Sequence, residues 1–85
     1  MKQPIEVRVT GGAGYIRYGD EATVAATHEI IASASVAADL SASGDVVGIE
    51  ILDVFEPSQV AAAREYARTH GLAFPRDLAG ALGVG

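Results

Sequence analysis

From Ile5 to Thr10 apolar and polar residues alternate, the period of two that marks a strand with Ile5, Val7 and Val9 on one buried face. Gly11-Gly12-Ala13-Gly14 follows, and residues that tolerate positive φ predict a reversal into a second strand at Tyr15-Ile16-Arg17-Tyr18. Gly19-Asp20-Glu21 reads as a further turn. Thr23 to Ile31, which mixes β-branched residues with Ala, His28 and Glu29, reads as a third strand. A second hairpin is predicted from Val36-Ala37-Ala38-Asp39-Leu40, the turn Ser41-Ala42-Ser43-Gly44-Asp45 and a return strand from Val46 to Val54. In the return strand Val47, Ile49 and Ile51 share one face and Val46, Gly48, Glu50 and Leu52 the other. Both faces are partly apolar, which places this strand in the middle of the sheet.

The period then changes to that of a helix. Pro57 suits the first helical position, where its missing N–H costs nothing, and Glu56 favours the positive end of the helix dipole. Over 57–70 the residues Val60, Ala63 and Ala67 fall on one face, flanked by Ala62 and Tyr66, and Gly71 is a natural stop. Phe74, Leu78 and Leu82 recur every four residues, which predicts a short second helix over 75–82. The fold class expected is α+β. An antiparallel sheet of about five strands over 4–55, built on two hairpins, is followed by one main C-terminal helix and a short terminal helix, all within a single domain.

Composition narrows the functional classes. A chain of 85 residues buries only about 60–65% of the surface its unfolded form exposes. With five aromatic residues (three Tyr, two Phe) and much alanine the core is thin, so a homo-oligomer, in its simplest form a dimer, is expected. The absence of cysteine removes disulfide staples, thiolate nucleophiles and the usual zinc frameworks. A formal charge of −5 with six Lys and Arg spread along the chain argues against a nucleic-acid surface and suits a small basic protein partner. Met1-Lys2-Gln3-Pro4 has no apolar stretch behind it, and no run approaches the roughly 18 apolar residues of a membrane span; a cytoplasmic protein is expected.

Two segments together resemble a known family. Ala13-Gly14-Tyr15-Ile16-Arg17-Tyr18 and Gly44-Asp45-Val46-Val47-Gly48-Ile49-Glu50-Ile51-Leu52-Asp53 look like the two signatures of the bacterial family called domain of unknown function 2283, over residues 5–54. In that family the first signature is a strand ending in tyrosine, isoleucine and a basic residue, which Tyr15-Ile16-Arg17 matches. The second is a glycine turn, here Gly44, followed by valine, glycine, isoleucine, glutamate, isoleucine and leucine, which Val47 to Leu52 matches. A turn of aspartate, proline and glutamate commonly precedes the first signature there, whereas this chain has Gly11-Gly12. The resemblance implies a compact antiparallel sheet with structural roles for Tyr15, Arg17, Gly44 and Gly48, and brings no established activity. Some members are thought to be encoded beside small toxin-like proteins, which implies an antitoxin-like binding role.

Candidate chemistry is sparse. Glu50 and Asp53, with Asp39 on the preceding strand and His28 from the third, are the residues that would gather for a divalent metal, a ligand or acid–base work. The plainer alternative is a solvated face on which Glu50 pairs with Arg17 or Arg8 and pins the register. His70, in the last helical turn, suits the carbonyl end of the dipole rather than catalysis. Gly11 to Gly14 is no phosphate cradle, since neither a helix nor a Lys-Ser/Thr pair follows it. Ser33, Ser35, Ser41 and Ser43 fall in or near turns, outside any nucleophile elbow. No motif implies a cofactor, and the chain reads as a binding protein rather than an enzyme. The stripe Phe74, Leu78, Leu82 would be a partner surface or a cap on the sheet.

Overall fold

Two glycines in left-handed conformation, Gly11 (φ 58°) and Gly12 (φ 89°), close the first hairpin between β1 (Glu6–Thr10) and β2 (Ala13–Arg17). Positive φ at both central residues gives the turn the twist of the strands it joins. The computed structural model describes residues 1–78. Its remaining elements are β3 (Val24–Ile31), β4 (Val36–Ser41), β5 (Val46–Ile51) and α1 (Pro57–Thr69). The described strands form one antiparallel sheet in the order β1-β2-β5-β4-β3, so the fold is α+β.

The return strand β5 is central, as its apolar character on both faces predicts. It sits between β2 and β4, while β3 lies at the far edge. The chain therefore runs across one end of the sheet after β2. Tyr18 and Gly19 N–H both reach the Val47 carbonyl (2.7 and 3.1 Å), and a 3-10 turn at Glu21–Thr23 is capped by the Asp20 carboxylate on Ala22 N–H (3.0 Å). A register shift opposite Asp39 and Leu40 sets Gly48 against Asp39 and Val46 against Leu40. That extra residue turns Val46 back into the core instead of leaving it on the face of Glu50.

One face of the sheet carries the core. Ile16, Ile49, Ile51 and Val36 are fully or almost fully buried, and α1 lies over β3, β4 and β5 with Ala63 and Ala67 at 0% exposure. Alanine at these two positions lets the helix axis approach closely, with Val60 and Tyr66 packed beside them. Glu56 caps the helix by accepting from Ser58 N–H, Pro57 opens it, and Gly71 (φ 69°) ends it. The chain then returns along the amino terminus. Ala73 N–H bonds the Lys2 carbonyl (2.9 Å), Lys2 N–H the Gly71 carbonyl (3.1 Å), and the Tyr18 hydroxyl donates to the Ala73 carbonyl (2.6 Å).

The alternation in β1 overstates its burial. Ile5 and Val7 are 59% and 36% exposed and only Val9 of the three packs on the core, because β1 is an edge strand that α1 does not reach. Residues Val24 to Glu29 of β3, the other edge, are exposed as well. Phe74 and Leu78 pack on the core of their own chain, Leu78 at 3% exposure; the short helix expected over 75–82 is not formed over 75–78, which has a bend at Arg76 and a turn at Leu78, and Leu82 lies outside the described residues.

Filling the close contact between α1 and the sheet tests this arrangement. Ala67→Leu is expected to lower the unfolding free energy by about 1–3 kcal/mol through overpacking, while the same change at exposed Ala61 leaves it within about 0.5 kcal/mol. Urea unfolding followed by circular dichroism measures both.

Candidate functional site

The register that sends Ile16, Ile49 and Ala38 toward α1 sends Tyr15, Arg17, Gly48, Glu50, Ala37 and Asp39 to the opposite, open face. Glu6 and Arg8 of β1 and Thr27 and Glu29 of β3 extend that face to both edges. It divides into two electrostatic halves. Toward β1, Arg17 Nε bonds Glu6 (3.1 Å), Arg8 bonds Glu21 (3.3 Å), and each arginine also lies within 4 Å of the other's acidic partner. The Arg17–Glu50 and Arg8–Glu50 pairs expected from the sequence do not form, because both guanidinium groups are engaged on the β1 side.

Toward β4, Asp39 is the hub. It is 9% exposed although it stands on the open face. The Tyr15 hydroxyl donates to its Oδ2 (3.1 Å) and the Thr27 hydroxyl to its Oδ1 (2.9 Å). Gly48 makes the first of these bonds sterically feasible. A Cβ on Gly48 would overlap the Tyr15 phenol, so the missing side chain is the space in which that ring lies on its way to Asp39. Tyr15 stands directly across from Glu50, and Arg8 sits over its ring, 5.1 Å from the centroid. The first hairpin and the second are thus in contact across the sheet, with Tyr15 of the first laid over Gly48 of the second.

Glu50 completes the cluster. A hydrogen bond with Asp39, burial and the negative charge of Asp39, in that order, push its carboxyl up to about 7. Burial first and then the charge of Asp39 raise the Tyr15 hydroxyl, which stays protonated and remains a donor. Arg8, Tyr15, Glu21, Asp39, Glu50 and Leu52 line a shallow groove of about 580 Å³ on this face, with Leu52 65% exposed at its rim. Among the described residues no cation pairs with Asp39 or Glu50. The arrangement presents the carboxyl oxygens of Asp39 and Glu50 to whatever enters the groove.

The other candidates lie elsewhere. Asp53 belongs to the turn after β5, where its carboxylate accepts from Phe55 N–H (2.9 Å) and its own N–H donates to Gln59 Oε1 (2.8 Å). His28 shares the helix face with Ala38 and stacks on Tyr66 at 6.2 Å, with His70 at 4.0 Å from that ring. His70 Nδ1 lies 2.8 Å from the Tyr66 carbonyl, in keeping with a place at the helix end. Of Asp39, Glu50, Asp53 and His28, only the first two meet, and among the described residues no three His, Cys, Asp or Glu side chains gather to hold a metal. Gly44 (φ 89°) closes the turn between β4 and β5. Sequence reading missed Thr27, since its pairing with Asp39 depends on the β3–β4 register.

Two measurements check this geometry. Gly48→Ala is expected to destabilise the protein by about 1–3 kcal/mol, and Tyr15→Ala combined with it to cost clearly less than the sum of the single changes. The second measurement is of stability against pH. Glu50 is raised above the ordinary 4.5, so the folded state keeps a proton that the unfolded chain has lost between about pH 4.5 and 7. The stability contributed by that proton is fully present below pH 4.5 and is lost as the pH rises through about 7. Glu50→Gln should remove this part of the slope in chemical unfolding at a series of pH values.

No family model, curated protein or solved structure matches the chain, so the use of this face is argued from its own geometry.

Proposed function

We propose that the chain is a small protein-interaction module whose open sheet face receives a basic segment of a partner, in an antitoxin-like role. One observation carries the reading: Asp39 and Glu50 line an exposed groove with no cation of their own among the described residues, while Arg8 and Arg17 beside them are engaged by Glu6 and Glu21. A lysine or arginine side chain entering there gains two carboxyl acceptors, and the exposed Leu52 offers apolar contact at the rim. The formal charge of −5 favours the same class of partner through long-range attraction. Among the described residues no helix is long and apolar enough to cross a membrane, and a cytoplasmic location is part of the proposal.

Self-association has its own supporting observation. Strand β3 is an eight-residue edge with Val24 to Glu29 exposed and with neither Lys nor Pro to block pairing, so a homodimer joined at this edge belongs to the proposal. A metal or small-ligand site at Glu50 is the competing reading, and calorimetric titration with Zn, Mn, Mg and Ca separates it from the first.

The test is capture of the tagged protein from its own cells beside Glu50→Gln and Glu50→Lys. One stoichiometric basic protein is expected with the unaltered chain, reduced at least about tenfold with Glu50→Lys. Capture of nothing, or of a partner indifferent to both changes, refutes the reading. Light scattering of the same eluate reports the oligomer.

A further inference from the structure

The two edges of the sheet differ in what they offer to a second copy of the chain. In β1, Val7 stands across from buried Ile16 on the helix side, while Glu6 and Arg8 stand across from Arg17 and Tyr15 on the open side. Among the described residues the backbone of β1 pairs with β2 alone, and Ile5 and Val7 keep much of their side chains in solvent. A groove of about 270 Å³ bordered by Pro4, Ile5, Val7, Phe74 and Pro75 continues that apolar strip.

Two antiparallel copies of one strand are related by a two-fold axis normal to the sheet. Residues set opposite each other then lie on the same face, so every allowed register has one residue on the axis. Glu6 or Arg8 on the axis would set a charge against its own copy. Val9 on the axis would leave Glu6 and Val7 opposite the Gly11-Gly12 turn instead of a strand. With Val7 on the axis, Val7 meets Val7, Ile5 meets Val9, and Glu6 meets Arg8 in both directions. One register thus satisfies both faces at once, and the strand is complementary to itself in charge and in apolar character.

The other edge lacks this property. The ladder of β3 with β4 is broken by register shifts at Ala25 and Ile30, which bend an edge away from a flat neighbour. His28 and Glu29 stand on opposite faces of β3, so no antiparallel register sets one against the other.

We infer that β1 joins two copies of the chain as an antiparallel pair centred on Val7, extending the sheet to ten strands with both α1 helices on one side and both open faces on the other. The inference rests on the proposed self-association and assigns it to β1 in place of β3, since pairing at both edges would propagate an open-ended sheet. Ile5 and Val7, beyond the reach of α1, are then covered by the second copy. The ion pairs that link Glu21, Arg8, Glu6 and Arg17 within one chain are joined to those of the other through Glu6 and Arg8.

Charge variants of the full chain test the pairing. Sedimentation over a concentration series is expected to show a dimer for the unaltered protein, with self-association weakened at least about tenfold in Glu6→Arg and in Arg8→Glu. Mixing those two variants should restore the dimer, because each supplies the charge that the other lacks. Ala26→Lys, which puts a charge on exposed β3, should leave the dimer intact. The chain has no cysteine, so Val7→Cys gives a readout with every charge in place: a short thiol-reactive cross-linker should join two copies at that position. A dimer indifferent to both charge variants, a mixture that stays monomeric, no cross-link at Val7→Cys, or a dimer lost in Ala26→Lys alone overturns the assignment to β1 while self-association stands. An unaltered protein that is monomeric throughout the series sinks self-association, and the inference with it.

Discussion

A central strand has to satisfy a hydrogen-bonding neighbour on each side and a packing layer on each face, and β5 does so with six residues. Val46, Ile49 and Ile51 meet the core that α1 closes, and the strand pairs with β4 on one side and, over Gly48 to Ile51, with β2 on the other. On its other face the demands are met differently. Gly48 supplies space, which Tyr15 fills on its way to Asp39, and Glu50 supplies a carboxyl held above its ordinary range by Asp39 and by burial. The polar face is consequently a consequence of the same strand that organises the core, and changes there reach four of the five strands in the sheet.

Coverage of the sheet is uneven for a physical reason. Helix α1, Pro57–Thr69, about 20 Å long at 1.5 Å per residue, lies over β3, β4 and β5 and leaves the β1–β2 side of the sheet to other parts of the chain. The half nearest β1 is served by residues 72–78, tied to the amino terminus by backbone bonds around Lys2, and by the Tyr18 hydroxyl, whose own ionisation burial pushes up to about 12. Edge strands β1 and β3 accordingly keep apolar or small side chains in solvent, Ile5 and Val7 on one side and Val24 to Ala26 on the other. A thin core and two open edges make association with another chain energetically reasonable.

Charge on the open face is arranged by competition. Glu6 and Glu21 take the guanidinium groups of Arg8 and Arg17, and among the described residues the carboxyl pair in the middle of the sheet is left without a cation, so that Asp39 pushes the Glu50 carboxyl up to about 7. Burying Asp39 without a cation is tolerable because two hydroxyl donors, Tyr15 and Thr27, replace the water it loses. Such a face differs from an ordinary solvated one, where each acid finds a lysine or arginine or remains fully hydrated.

Much of the fold was legible in the sequence because it rests on local rules: alternation marks the strands, glycines at Gly11, Gly12 and Gly44 mark the turns, and Pro57 and Gly71 bracket the helix. Two-sided apolar character even located β5 at the centre. The two hairpin pairings were legible, but the pairing of β2 with β5 and of β3 with β4 was not, since it depends on where the connection after β2 carries the chain. The chain after β2 crosses the sheet end to put β3 beside β4, and that register alone brings Thr27 to Asp39. Likewise the alternation in β1 could not show that Ile5 and Val7 lie beyond the reach of α1. Asp39 and Glu50 were visible as carboxylates on neighbouring strands, but their lack of a cation was decided only when tertiary structure assigned Arg8 and Arg17 to Glu6 and Glu21. Local patterns determine which residues can share a face; the three-dimensional packing of distant strands decides which of them meet there and which charges are left without a partner.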